Sequence, residues 1–135
     1  MKILVDTSVW SLALRRAPVV SSPHVQELVK LIDDMRVQII GPIRQEILSG
    51  IKTESQFIGV RDQLRAFPDL PLTADDFEYA AELFNILRAK GIQGSNTDFL
   101  ICAVSLRHKM QIYTTDNDFA LFNQHIPIKL HSLNL

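Results

Sequence analysis

Cysteine is all but absent from this chain of 135 residues: Cys102 stands alone. An internal disulfide framework is therefore excluded, and a reducing compartment is expected. An excess of basic charge is missing too. With 14 Lys and Arg against 15 Asp and Glu, the net charge is −1, so no global field draws in polyanions. Any such binding must come from local patches or bound cations. No apolar run approaches the ~20 residues needed to cross a bilayer. Met1-Lys2 leads directly into a five-residue strand-like piece, which predicts neither a secretory leader nor a membrane anchor. The four histidines (His24, His108, His125 and His131) show no metal-ligand spacing with one another and read as surface or helix-end residues. Repeats, low-complexity tracts and linkers are lacking. These absences leave a single cytoplasmic domain over residues 1–135, with 47% apolar residues to build its core.

What is present alternates between strand-like and helix-like pieces. Ile3-Leu4-Val5 has the short apolar pattern of a strand buried on both faces. Asp6-Thr7-Ser8 then offers capping side chains to a helix carrying Val9, Trp10, Leu12, Ala13 and Leu14. Ser21-Ser22-Pro23 reads as a second helix start, with Val25, Leu28, Val29, Leu31 and Ile32 as its apolar stripe. Val37 to Ile40 predicts a second strand. Gly41-Pro42 then leads into a short helix with Ile43, Ile47 and Leu48 inside and Gly50 as the stop.

Periodicity predicts helices over 54–66 and 73–90, separated by "FPDLPL", which Pro restricts to an edge strand at most. Beyond the "GIQGSN" loop, Asn96 or Thr97 is expected to cap a helix that is apolar nearly all round and therefore central. Gln111 to Thr114 predicts a third strand, "DNDFALFNQ" a short helix, and Ile126 to Leu130 a last strand. This alternation predicts the α/β class, a parallel sheet with helices on both faces.

Open α/β sheets carry their sites at the carboxyl ends of the strands. Asp6 stands at one such end, and Asp116 with Asp118 at another. Glu46 and Asp98 open helices expected at the same edge. Carboxylates gathered there repel one another. A hard divalent cation, Mg²⁺ or Mn²⁺, resolves the conflict by taking oxygen ligands while leaving positions open to phosphate. The chemistry suited to such a site is metal-assisted phosphodiester hydrolysis. Each acid also has a structural reading. Asp6 and Asp98 could serve the starts of their helices, Glu46 could be solvated, Asp116 could close a turn, and Asp118 could cap the last helix. Asp33-Asp34 and Asp75-Asp76 lie away from strand ends and read as solvated.

In this order and spacing, "ILVDTSVW", "QEILSG", "NTDFLICAVSLRH" and "IYTTDNDF" resemble a PIN-domain ribonuclease, and at this length a VapC-type toxin of a toxin–antitoxin pair. The resemblance covers essentially the whole chain. It implies a three-layer α/β/α sandwich around a parallel sheet and a metal-dependent endoribonuclease. The metal-binding acids would be Asp6, Glu46, Asp98 and Asp116, with Asp118 a candidate fifth. Thr7 and Thr115 match hydroxyl positions that line such sites. The resemblance further implies a homodimer, a small antitoxin partner and structured RNA, often transfer RNA, as substrate.

Phosphate contacts, if made, fall to Arg15-Arg16, Lys52, Arg88 with Lys90, and foremost Arg44, which shares a helix turn with Glu46. Trp10 and Cys102 read as core. Phe77, Tyr79, Leu83, Phe84 and Leu87 fit either core or a dimer face. A haloacid-dehalogenase-like phosphatase would need an acid where Ser8 stands, and a receiver-domain acidic arrangement is not seen. The remaining alternative is a non-catalytic α/β interaction module whose acids are helix caps.

Overall fold

A computed structural model of the chain describes residues 1–14 and 22–133. Among them, three parallel strands form one sheet in the order β2-β1-β3: β1 is Ile3–Val5, β2 Val37–Gln38 and β3 Gln111–Tyr113. Ile3, Leu4 and Val5 are all fully buried, as a central strand covered on both faces requires. The register pairs Ile3 with Val37 on one side, and Ile3, Leu4 and Val5 with Gln111, Ile112 and Tyr113 on the other. Single parallel bridges, Ile39 to Asp69 and Ile112 to Leu130, continue the sheet at its two edges. The first bears out "FPDLPL" as edge structure. The second corrects the expected strand over Ile126 to Leu130, of which Leu130 alone makes a ladder contact.

Seven helices complete the described fold: α1 Thr7–Ala13, α2 Pro23–Asp33, α3 Gly41–Leu48, α4 Glu54–Leu64, α5 Ala74–Ala89, α6 Asn96–His108 and α7 Asp118–Asn123. α1 packs on α2 and α3, and α3 on α4, whereas α5 packs chiefly on α6 and α6 on β3. From β1 the chain crosses to β2 on one side and later returns past β1 to β3 on the other. Right-handed crossovers in opposite directions place helices on both faces, giving the α/β/α sandwich. α6 is the buried partner of the sheet, with Phe99 through Ser105 all inside. α2 buries Val25, Leu28 and Leu31, but Val29 is half exposed and leaves the expected stripe.

Aromatic packing fixes the loop before α6. Phe84, Phe99, Phe122 and Phe119 form a chain of ring contacts with centroids 5.0–5.4 Å apart. Gly94 lies against it so tightly that an added Cβ would stand 2.8 Å from Phe122 and 3.0 Å from Phe99. Trp10 is core as expected: its indole N–H donates to the Val5 carbonyl, and its ring meets Phe67 edge-on. No helix among the described residues is long and apolar enough to cross a membrane.

Candidate active site

The chain leaves the carboxyl end of β1 in one direction and reaches β3 from the other. A crevice for ligands is expected where such connections diverge. Asp6 stands at that point, 5% exposed, with its backbone N–H donating to the Tyr113 carbonyl across the sheet. Its carbonyl accepts from Val9 and Trp10 as α1 begins, so the backbone is the N-cap. The side chain is not. Asp6 Oδ2 instead accepts from Ser8 Oγ at 2.9 Å and Thr114 Oγ1 at 2.8 Å. The capping alternative for its carboxylate is thereby corrected.

Asp98 occupies the third position of α6. Ser95, not Asn96 or Thr97, is the N-cap: Ser95 Oγ accepts from the Asp98 N–H and Asp98 Oδ2 from the Ser95 N–H, both at 3.1 Å. This reciprocal pairing is a capping box. Burial raises the Asp98 pKa above its ordinary value. The hydrogen bonds from Ser95 oppose that shift, and the nearby Asp6 and Asp116 carboxylates add to it. Three acids from β1, α6 and the end of β3 thus share one electrostatic field. None of the ion pairs among the described residues involves any of them.

The other expected site residues divide. Asp116 is exposed and its Oδ1 accepts from the Asp118 N–H at 2.9 Å, closing the turn into α7. Asp118 is exposed in the first turn, and Asn117 holds the cap position expected of it. Glu46 is exposed on α3 and does not figure in the field around Asp98. Thr7 Oγ1 is buried without a hydrogen-bond partner. Thr115 contributes its backbone N–H, donated to Ser8 Oγ at 3.0 Å, rather than its hydroxyl.

Arg44 has partners within the fold. Its guanidinium pairs with Asp69 and donates to the Leu64 and Phe67 carbonyls, tying α3 to the segment after α4. That leaves it engaged within the fold. Arg15 and Arg16 lie outside the described residues. Lys52, Arg88 and Lys90 are exposed. Cys102 is fully buried, and burial, with Asp98 and Asp6 nearby, pushes its thiol pKa up, so it is inert packing.

Sequence reasoning missed Ser8 and Thr114, although the parallel register points to them: Val5 faces Tyr113, so Asp6 comes next to Thr114. It also misplaced Asp76, which is fully buried rather than solvated.

The donor chemistry around Asp98 fits a hard cation: carboxylate oxygens with no cationic partner. As they stand, no three His, Cys, Asp or Glu side chains among the described residues converge closely enough to hold an ion. Local hydrogen bonds hold the carboxylates in this arrangement.

The family model of the PIN domain matches residues 3–123, a span containing all five acids. The chain belongs to the PIN-domain family. Within it, the chain is 31% identical over 119 residues to Ribonuclease VapC11 of Mycobacterium tuberculosis and to VapC ribonuclease Mb1587 of Mycobacterium bovis. Each alignment covers 87% of this chain and 88% of the relative. Among solved structures, the PIN fold superposes on VapBC2 from Rickettsia felis bound to a DNA fragment from their promoter (TM-score 0.78, 20% identity, 97% of this chain and 98% of that one). FitAcB from Neisseria gonorrhoeae matches comparably, at TM-score 0.77 and 19% identity over 98% and 99% of the two chains. At these identities the structures speak for the fold, and the VapC relatives for the branch of the PIN family.

Proposed function

We propose that residues 1–135 form one PIN-like nuclease domain, a divalent-metal-dependent endoribonuclease acting as the toxin of a toxin–antitoxin pair. The observation carrying this reading is Asp98, whose charge is disfavoured by burial and by Asp6 and Asp116 at the diverging ends of β1 and β3. The ribonuclease names of the VapC relatives support the activity, and the VapBC neighbours support an antitoxin partner. Structured RNA, with transfer RNA as the class to try first, is the proposed substrate. A homodimer working in the cytoplasm completes the proposal.

Asp6, Asp98 and Asp116 would hold Mg²⁺ or Mn²⁺, with Glu46 and Asp118 at the margin. When bound, such an ion neutralises the carboxylates, activates water and stabilises charge on the phosphate. The chain's own residues prepare for this. Ser8 and Thr114 fix Asp6 in one orientation. The Ser95 box holds Asp98 at the start of α6.

The second reading, a module whose acids are caps, draws on the capping box of Asp98 and the turn closed by Asp116. It leaves the uncapped carboxylate of Asp6 unexplained. Digestion of total RNA and of transfer RNA, with Mg²⁺ or Mn²⁺ and with EDTA, separates the two. Cleavage should need the ion and disappear in Asp6→Asn and Asp98→Asn. Undiminished cleavage by both variants removes the assignment.

A further inference from the structure

Ser8 and Thr114 make more hydrogen bonds at Asp6 than the fold alone calls for. Both hydroxyls donate to the same oxygen, Asp6 Oδ2, at 2.9 and 2.8 Å, and their own oxygens lie 3.2 Å apart. Each in turn accepts a backbone N–H from the segment after β3: Thr115 to Ser8 at 3.0 Å and Asp116 to Thr114 at 3.0 Å. The proton inventory closes. A hydroxyl has one proton and two lone pairs, so both protons go to Asp6 and one lone pair on each oxygen takes an N–H. Asp6 Oδ2 is thereby doubly occupied, and Oδ1 is left as the oxygen free to meet a ligand. The same four bonds tie the carboxylate at the end of β1 to the backbone of Asp116 beyond β3.

We infer that Ser8 and Thr114 are positioning residues that act through Asp6 and Asp116: they set which Asp6 oxygen faces the cation and hold the two acids as one unit. Outer hydrogen-bond partners of metal ligands typically contribute 10–100-fold to metal affinity or activity. Thr7 and Thr115, the hydroxyls singled out in the sequence, are not the ones engaged. The inference rests on the proposed cation site, and its test keeps the two apart.

Mn²⁺ binding is measured by titration calorimetry on metal-free wild type, Ser8→Ala, Thr114→Val, Thr114→Ser and Asp98→Asn, with a metal-free melt of each. The expected result is Mn²⁺ binding by wild type, a loss of about 10–100-fold in Ser8→Ala and Thr114→Val, and near-wild-type affinity in Thr114→Ser, which keeps the hydroxyl. Weakened Mn²⁺ binding in Thr114→Val with its metal-free melt retained, and restored in Thr114→Ser, is the readout a purely structural role would not produce. Equal affinity in wild type, Ser8→Ala and Thr114→Val overturns the positioning role while leaving the nuclease reading intact. Loss of cooperative melting in both of those variants assigns the pair to fold maintenance and also overturns it. Absence of Mn²⁺ binding by wild type removes the cation site and this inference with it.

Discussion

Two capping boxes in this molecule are built alike and titrate in opposite directions. In the first, the Thr73 N–H donates to Asp76 Oδ2 at 2.9 Å at the start of α5; in the second, the Ser95 N–H donates to Asp98 Oδ2 at 3.1 Å at the start of α6. Asp76 is fully buried, and burial alone would raise its pKa. The Thr73 N–H, Arg107 and His108 outweigh that cost and hold the carboxyl below its ordinary value. Asp98 is half-buried and has two carboxylates for neighbours where Asp76 has the Arg107 guanidinium and the His108 ring, so its pKa moves up. Both partners come from the far end of α6 itself: Arg107 Nη1 donates to Asp76 Oδ1 at 2.5 Å, and His108 Nε2 lies 3.1 Å from the same oxygen. One helix thus neutralises an acid at its carboxyl end and leaves another uncompensated at its amino end. Similar capping geometry leads to opposite outcomes because burial, hydrogen-bond partners and charged neighbours differ. The compensated acid ties α5 to α6, and the uncompensated one is where the proposed cation would sit.

The largest expected effect lies at the compensated box. Asp76→Ala removes the partner of Arg107 and should cost about 3 kcal/mol in urea unfolding, the lower end for a broken buried pair because Arg107 reaches solvent. A loss under about 1 kcal/mol would dissolve the contrast. Next comes the loop that presents the second box. Gly94→Ala drives a methyl group into Phe122 and Phe99 and should cost about 2 kcal/mol by overpacking, read as a lower urea midpoint at unchanged slope.

At Asp98 the two substitutions should part. Asp98→Ala loses the box and about 1 kcal/mol. Asp98→Asn keeps an acceptor for the Ser95 N–H while discharging the site, so metal-free stability should hold or rise. A clear fall in Asp98→Asn would make Asp98 a structural acid like Asp76.

The smallest effect is the sign of the pH dependence. Stability from Asp76 is present above its ordinary pKa of 3.8 and is lost as pH falls through its lower folded value. Asp98 runs the other way. Its cost is absent below 3.8, grows as pH rises through its raised folded value, and is complete above it. Subtracting the urea profiles of Asp76→Asn and Asp98→Asn from that of wild type should give contributions of opposite slope.

Much of this arrangement was legible in the sequence. Ile3-Leu4-Val5 and Gln111 to Tyr113 read as strands because apolar runs bounded by polar turns leave few alternatives, and the central helix because nearly every residue from Phe99 to Ser105 is apolar. Placement at strand and helix ends grouped Asp6, Glu46, Asp98 and Asp116; of these, Asp6 and Asp116 act on Asp98 and Glu46 does not figure there. Asp76 was not legible. In "TADDFEYAAEL" it stands beside the exposed Asp75, and its burial is decided by Arg107 and His108, more than 30 positions away. The ion pair of Arg44 was not legible for the same reason, its partner Asp69 being remote in the chain. Leu130 shows the limit for strands: an apolar alternation over Ile126 to Leu130 makes one bridge because β3 offers its edge only at Ile112.

The central claim is that Asp6, Asp98 and Asp116 form a divalent-cation site. The most direct measurement is the thermal melt of wild type and Asp98→Asn, each with EDTA and with saturating Mn²⁺. The account predicts that Mn²⁺ stabilises wild type, by about 2.7 kcal/mol at a hundredfold excess over the dissociation constant, and leaves Asp98→Asn little changed. The EDTA-treated variant should melt no lower than EDTA-treated wild type. Identical wild-type melts with and without Mn²⁺ would contradict the account.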